Sequence, residues 1–73
     1  MENELRKKIG ERLKESRRTA GYTQVQVAEI LNMTQQQYSR FENGVFELNY
    51  AQIIKLCKLY DISADYLFDL KAF

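Results

Sequence analysis

A run of three glutamines, Gln35 to Gln37, carries the side chains of this chain that are best suited to specific hydrogen bonding. Each amide places an N–H donor beside a carbonyl acceptor. Adenine presents the matching pair, an N7 acceptor and an N6 donor, in the major groove of DNA. Gln35 is therefore a candidate for a two-bond contact to an adenine edge, and Arg40 could reach a guanine edge or a phosphate. The alternatives are an exposed helix-favouring glutamine and a solvated cation.

A helix must position these side chains, and the pattern between Thr23 and Gly44 predicts two helices joined by a short turn. The helical patterns cover residues 24–31 and 35–42, and Ala28 supplies the small residue that a steep crossing needs. Helix periodicity then leaves the glutamines on the outer edge of the second helix. The apolar residues expected to flank the crossing are Val27, Leu31, Met33, Tyr38 and Phe41. The arrangement is that of a helix-turn-helix.

Three helix starts share one capping pattern, in which a hydroxyl or amide residue is followed three positions later by a glutamine. This spacing predicts reciprocal hydrogen bonds between cap and partner. The three pairs are Thr23 with Gln26, Thr34 with Gln37, and Asn49 with Gln52. In the turn between the two helices, Asn32 stands where the backbone needs a positive φ, which asparagine tolerates better than most residues.

The remaining chain predicts three further helices and no strands, so we expect an all-α fold of five helices. Helix 1 covers residues 4–20, and Gly10 in its middle indicates a close approach by another element. Helix 4 covers residues 50–60, and Ser63 caps a last helix over residues 64–70. The residues expected to face inward are Leu5, Ile9, Leu13, Ser16 and Ala20 in helix 1, Ile53, Leu56, Cys57 and Tyr60 in helix 4, and Leu67 in the last helix. Gly21 is expected to end helix 1 with a left-handed backbone.

Length and composition predict one small domain over residues 1–73 with an apolar core. The chain has one cysteine and no histidine, so we expect no internal disulfide, no metal site and no cofactor. No apolar run reaches membrane-spanning length and no signal region opens the chain, which favours a cytoplasmic location. Without histidine, a glycine-rich phosphate loop or a strand to hold a nucleophile, we expect no enzymatic activity.

Charge is distributed unevenly along the chain, although the net charge is only +1. Residues 1–20 hold seven basic and four acidic residues, whereas residues 21–73 hold four basic and six acidic ones. The positive end is thus helix 1. Its basic residues either face DNA phosphates or form an ordinary solvated helix face with pairs of opposite charge.

The stretch IGERLKESRRTAGYTQVQVAEILNMTQQQYSRFENG, followed by YAQIIKLCKLYDISADYLF, resembles the five-helix DNA-binding domain of the phage repressor and Cro (XRE-type) family. The string TQQQYSRFENG is especially similar to the recognition helix of lambdoid phage repressors. The resemblance implies a bacterial or phage transcriptional regulator, of the repressor kind, that binds a pseudo-palindromic DNA operator as a homodimer. Three residues depart from the family pattern: Asn32 replaces a glycine, Leu48 a proline, and Arg40 a glutamine. The last departure leaves the preferred operator sequence open.

The resemblance also assigns roles to individual residues. It implies that Gln36 is a second base-reading residue beside Gln35 and Arg40. The residues expected at the DNA backbone are Gln24, Thr34, Gln37 and Asn43. Gln24 begins a helix, where unpaired N–H groups favour a phosphate, whereas Gln37 could instead be occupied in capping Thr34.

Two further expectations concern contacts within and between subunits. Arg17 and Glu42 match positions that form a partly buried ion pair in the similar repressors, and the alternative is two separate surface charges. A 73-residue monomer cannot bury the whole apolar cluster near the C-terminus, so we expect a dimer contact there. Its residues are Tyr66, Phe68, Leu70 and Phe73.

The rival function is a protein-binding module: an antitoxin that grips a toxin, or an adaptor that uses this fold without reading DNA. Such a protein would need an interaction segment of its own, and only the short tail after Leu67 is available.

Overall fold

The computed structural model of the chain describes residues 2–70, which form five α-helices and no strand. The helices are α1 (Glu2–Ala20), α2 (Gln24–Ile30), α3 (Gln35–Glu42), α4 (Tyr50–Tyr60) and α5 (Ala64–Phe68). The expected all-α fold is confirmed, and α3 and α4 have the predicted bounds. By contrast, α1 begins two residues earlier, α2 ends one residue earlier and α5 ends two residues earlier than predicted. The early end of α5 follows from Asp69, whose left-handed backbone (φ 61°) lets its N–H bond back to Asp65 and Tyr66.

The helix starts contain the reciprocal caps that the sequence predicts. Thr23, Thr34 and Asn49 each accept a hydrogen bond from the backbone N–H of the glutamine three residues on, and each glutamine side chain accepts from the backbone N–H of its cap. Ser63 caps α5 by accepting from the N–H of Tyr66 at 3.0 Å. These bonds satisfy N–H groups that a helix start leaves without partners, so each start is fixed by local sequence.

The turns use the backbone conformations that the sequence predicts. Gly21 ends α1 with φ 86°, and Asn32 adopts φ 59° between α2 and α3. Asn32 is followed by Met33, whose N–H donates to the carbonyl of Ala28 at 2.9 Å and closes the end of α2. The short connection therefore turns the chain sharply enough for α3 to pack across α2.

The core lies where the five helices meet, and each of them contributes at least one buried apolar residue. Its buried apolar residues are Leu13, Val27, Ala28, Tyr38, Phe41, Leu56, Tyr60 and Leu67. Two inward predictions for α1 are wrong: Leu5 is 51% exposed and Ala20 is exposed. The buried positions of α1 all fall between Gly10 and Arg17, because only the middle of this long helix is covered by the other helices. Among the described residues, no helix combines the length and the apolar character needed to cross a membrane.

Gly10 lies where the backbone of α1 touches the C-terminal end of α3. A Cβ atom built at this position would collide with the backbone carbonyl oxygens of Glu42 and Phe41. Because these atoms belong to a helix backbone, they cannot move aside as a flexible side chain would. The close approach inferred from the sequence is confirmed, and it sets the distance between α1 and α3.

We expect Gly10→Ala to destabilise the protein, although alanine favours a helix over glycine by about 1 kcal/mol. The collision with Glu42 outweighs that gain, and overpacking of this kind costs about 1–3 kcal/mol. Chemical denaturation measures the change, with Lys14→Ala, at an exposed position of α1, as the control. A Gly10→Ala variant as stable as the wild type would contradict the close contact.

Candidate nucleic-acid interface

The N-terminal half of α3 presents its glutamines to solvent because the opposite face of the helix is locked in the core. Tyr38 is fully buried and Phe41 is 7% exposed, whereas Gln35, Gln36 and Gln37 are all exposed. Side chains of α3 cannot rotate as a set without removing the two aromatic rings from the core. The row of amides is therefore held on the outer edge of the fold.

Gln35 does not stand alone on this edge, since it is hydrogen-bonded to the first residue of α2. Its Nε2 donates to Oε1 of Gln24 at 3.2 Å. Gln24 is half-buried and also donates its own Nε2 to Oε1 of Glu42 at 2.9 Å. The structure thus brings together a predicted base-reading residue and a predicted backbone-contacting residue.

Thr34 and Gln37 are partly committed to the start of α3. Thr34 Oγ1 accepts from the N–H of Gln37 at 3.1 Å, and Oε1 of Gln37 accepts from the N–H of Thr34 at 3.0 Å. Of the two readings left open for Gln37, capping is thus present in the structure. Its side-chain NH2 group makes no hydrogen bond within the described residues and remains available to a ligand.

Arg40 and Asn43 lie at the other end of α3. Arg40 is exposed, and its guanidinium lies over the ring of Phe46 at 5.4 Å from the centroid. Asn43 Nδ2 donates to Ser39 Oγ at 3.4 Å. Arg40 follows Gln35 by five residues, which is about 7.5 Å along the helix axis. The stacking on Phe46 holds this cation near the end of α3, away from the amide pair at its start.

Arg17 and Glu42 are brought together as a buried, two-bond ion pair between α1 and α3. Arg17 Nε donates to Glu42 Oε2 at 2.7 Å, and Arg17 Nη2 donates to Glu42 Oε1 at 3.2 Å. Arg17 Nη1 also donates to the carbonyl of Tyr22 at 3.0 Å. The Glu42 side chain is only 1% exposed, so solvent does not screen the pair.

The surroundings of this pair shift its ionisation. Burial by itself would raise the pKa of Glu42, but the hydrogen bonds from Arg17 and Gln24 and the positive charge of Arg17 outweigh it and leave the pKa below its usual value. The hydrogen bond to Glu42 raises the pKa of Arg17. Both groups are therefore charged at neutral pH, and the carboxylate of Glu42 acts only as an acceptor.

A second buried polar contact lies beneath α3 and was not predicted from the sequence. The hydroxyl groups of Tyr38 and Tyr60 lie 2.6 Å apart and share a hydrogen bond. Burial raises the pKa of both phenols, that of Tyr60 to about 12. Both phenol groups are uncharged at neutral pH, so this hydrogen bond links α3 to α4 without a buried charge.

Comparison with known proteins identifies the family. A profile of the helix-turn-helix domain matches residues 10–72, nearly the whole chain. The chain belongs to the helix-turn-helix domain family. It is 42% identical over 59 residues to the HTH-type transcriptional regulator ImmR of Bacillus subtilis (strain 168), a match that covers 81% of this chain and 46% of that protein.

A second relative from the same organism is the SPbeta prophage-derived uncharacterized HTH-type transcriptional regulator YonR. It is 38% identical over 59 residues, which cover 81% of this chain and 55% of that protein. The helix-turn-helix domain thus spans about half the length of the curated relatives it matches. These matches confirm the resemblance to the XRE-type helix-turn-helix family, and YonR is a prophage-derived member.

The basic residues of α1 in the helix-turn-helix domain are largely engaged with the protein itself. Lys8 and Arg12 form ion pairs with Asp69, at 3.9 and 3.5 Å. Arg12 also donates to the carbonyl of Tyr66 and lies over its ring, 4.8 Å from the centroid. Arg6 Nε donates to the carbonyl of Gly44 at 3.1 Å. These contacts favour a structural role for this part of α1 over a phosphate-facing one.

Of the four predicted dimer residues, the three that the structure describes differ in exposure. Tyr66 is half-buried under Arg12, and Phe68 is half-buried against the core. Leu70 is 47% exposed, and Phe73 lies outside the described residues. Exposed apolar side chains that the sequence did not single out lie on α4, where Tyr50 is 86% exposed and Ile54 follows it by one turn.

Among residues 2–70, no three or more Cys, Asp or Glu side chains lie together in a group that could hold a metal ion.

We expect Arg17→Met and Glu42→Gln each to lower the free energy of unfolding by about 3–5 kcal/mol at neutral pH, because each leaves one buried charge without the opposite charge. The contribution of Glu42 is present above its unfolded pKa, near 4.5, and is lost as pH falls through its lower folded pKa. The stability difference between wild type and Glu42→Gln should therefore shrink in acid. Denaturation as a function of pH measures it.

Glu47→Gln is the matched control, because Glu47 is exposed and forms no ion pair among the described residues. Its effect on stability should be small at every pH. A Glu42→Gln variant with the same small effect would show that the buried pair does not support the fold.

Proposed function

We propose that this chain binds double-stranded DNA in a sequence-specific manner as the DNA-binding part of a transcriptional regulator, of the repressor kind. The observation that carries the proposal is the exposed row of amides at the start of α3, held outward by the buried rings of Tyr38 and Phe41. A recognition helix placed in the major groove uses its N-terminal residues to contact base edges. In this proposal α3 enters the major groove with its N-terminal end leading.

The roles proposed for the side chains follow from their positions on α3 and α2. Gln35 and Gln36 read base edges from the first turn of α3, and Arg40 reads a guanine edge or binds a phosphate beyond its far end. The residues proposed at the DNA backbone are Gln24, Thr34, Gln37 and Asn43. For Gln37 the side-chain NH2 group supplies the contact, because its carbonyl oxygen is held by the cap.

The names of the relatives support regulation of transcription rather than binding of a toxin or another protein partner. Both ImmR and YonR are described as HTH-type transcriptional regulators. A second observation agrees with DNA as the ligand: the amide row offers hydrogen-bonding groups and no exposed apolar side chain. The antitoxin and adaptor alternatives become outcomes of the binding test.

Gln35→Ala should reduce discrimination at one base pair, by about 1–3 kcal/mol, because it removes both hydrogen bonds to one base edge. The test begins with selection of bound sequences from random DNA, followed by affinity measurements on each single-base variant of the selected operator. We expect the lost preference to be for an A·T pair. Affinity for unrelated DNA should change little.

The control is Lys55→Ala, at an exposed position of α4 outside the proposed interface. It should leave the preference at every base pair unchanged. Equal loss of affinity by Gln35→Ala on all variants would make Gln35 a backbone contact. Failure to select any sequence, with a stoichiometric protein partner recovered after nuclease treatment, would favour the protein-binding alternative.

We further propose that the operator is pseudo-palindromic and that two copies of the chain bind it as a homodimer. Helix-turn-helix dimers bind half-sites about 34 Å apart, one turn of DNA. Leu70 follows α5, is exposed, and belongs to the predicted C-terminal contact. Phe68 is a poor probe of that contact because its ring packs against the core.

Leu70→Ser should lower the cooperativity with which two copies occupy an inverted repeat, because it removes apolar surface from the subunit contact. Affinity for an isolated half-site and the denaturation midpoint should stay unchanged. The comparison is a titration of half-site against full operator. Ile54→Ser, on α4, is the matched control for loss of an exposed apolar side chain. Unchanged cooperativity in Leu70→Ser would place the contact elsewhere.

A further inference from the structure

A continuous chain of side-chain hydrogen bonds runs from the buried ion pair to the exposed start of α3. Glu42 Oε1 accepts from Arg17 Nη2 at 3.2 Å and from Gln24 Nε2 at 2.9 Å. Gln24 Oε1 in turn accepts from Gln35 Nε2 at 3.2 Å. The exposed amide of Gln35 is thus linked through one residue to a carboxylate that is almost fully buried.

The carboxylate of Glu42 fixes the donor and the acceptor in every hydrogen bond of this series. An ionised carboxylate only accepts hydrogen bonds, so Gln24 must turn its NH2 group toward Glu42 and its carbonyl oxygen away. That oxygen is also an acceptor, so Gln35 must turn its own NH2 group toward Gln24. A flip of either amide would set two oxygen atoms against each other and break the chain.

This direction determines what Gln35 offers to DNA. After one N–H of Gln35 is used by Gln24, one N–H and the Oε1 acceptor remain. A donor beside an acceptor matches the N7 and N6 groups of adenine. In the opposite direction, Oε1 of Gln35 would be held by the NH2 group of Gln24 and two N–H donors would face outward, which matches the N7 and O6 acceptors of guanine.

Resting on the proposed function, we infer that Glu42 is a positioning residue that orients the Gln24 and Gln35 amides and thereby sets the preference of Gln35 for adenine over guanine. Glu42 itself touches no DNA, because its side chain is only 1% exposed. Gln24 transmits the orientation, in addition to any contact it makes with the backbone.

Glu42→Gln tests the inference because it keeps the shape of the side chain and changes the direction of its hydrogen bonds. The shorter of the two Arg17 contacts is the one from Nε to Oε2, at 2.7 Å, and Nε has a single N–H to donate. The carbonyl oxygen of the new amide therefore takes the Oε2 position, and its NH2 group takes the Oε1 position, where it faces Gln24 and replaces the acceptor of Arg17 Nη2. Gln24 and Gln35 must then both reverse. The base pair read by Gln35 is located first with Gln35→Ala, and affinities are measured with A·T and with G·C at that pair.

In the wild type the ratio of affinities should favour adenine by roughly tenfold or more. In Glu42→Gln the ratio should fall by about tenfold, since the bidentate match to adenine is lost. Arg17→Lys is the matched control: lysine cannot form the two-bond fork, so stability falls, but the carboxylate of Glu42 is kept. Arg17→Lys should keep the wild-type ratio. A purely structural role for Glu42 would lower the ratio equally in both variants and would overturn the inference.

Gln24→Met covers the case in which Glu42→Gln does not fold. It leaves the Arg17–Glu42 pair in place and removes only the link, at a half-buried position. The Gln35 amide is then free to turn either its NH2 group or its oxygen toward position 24. The ratio of the affinity for A·T to the affinity for G·C should therefore fall toward one, even if affinity for all sequences also drops. A ratio unchanged from the wild type in Gln24→Met would overturn the inference.

The side-chain amide NMR signals of the free protein give a readout that needs no DNA. The Gln24 and Gln35 NH2 signals should shift in Glu42→Gln and keep their wild-type positions in Arg17→Lys. Signals of Gln24 and Gln35 that do not respond to Glu42→Gln would overturn the inference. If no operator is selected for the wild type, the proposed function fails and the inference falls with it. A selected operator with an unchanged ratio overturns the inference alone.

Discussion

The buried pair of Arg17 and Glu42 is the interaction on which the arrangement of the other elements depends. It joins α1 to the last residue of α3, and Arg17 adds a hydrogen bond to the carbonyl of Tyr22 at the start of the next segment. A buried ion pair is rarely a large net source of stability, because both groups lose their hydration. Here the pair fixes how α3 lies on α1, because two hydrogen bonds join the guanidinium of Arg17 to the carboxylate of Glu42.

Gly10 makes that geometry possible. Without a Cβ atom at this position, the backbone of α1 comes close enough to the carbonyl group of Glu42 for the Arg17 side chain, two turns along, to reach its carboxylate. The hydroxyl bond between Tyr38 and Tyr60 holds the other side of α3 to α4. Helix α3 is thus fixed from two sides by polar contacts within an apolar core, which limits rotation about its axis.

The distribution of charge on α1 shows how a basic segment can serve the fold. At the C-terminal end of α5, Lys8 and Arg12 form ion pairs with Asp69, and Arg12 also donates a hydrogen bond to the carbonyl of Tyr66. A cation at a helix C-terminus also satisfies carbonyl groups that the helix leaves without partners. With a net charge of +1 and several cations of α1 held in contacts within the protein, the chain has fewer free cations than binding to DNA by charge alone would need.

The sequence by itself determined the five helices and the four capped starts, because caps and turns depend on residues within four positions of each other. The reciprocal caps at Thr23, Thr34 and Asn49 and the left-handed turn at Asn32 were all predicted for that reason. Two contacts between helices were also expected: the close approach at Gly10, from a glycine inside a helix, and the Arg17–Glu42 pair, from the family resemblance. Only the tertiary structure decided which other side chains meet across helices. The exposure of Leu5 depends on where the neighbouring helices end.

The link from Glu42 through Gln24 to Gln35 likewise depends on how tertiary packing sets the end of α3 beside the start of α2. Periodicity placed Gln35 on the outer face of α3 and left its partner unspecified. A pattern along one chain cannot supply a contact between residues 18 positions apart, because their distance is set by the packing of the helices between them. The sequence shows which residue types stand at positions 24, 35 and 42, but only the fold decides the direction of the hydrogen bonds between them.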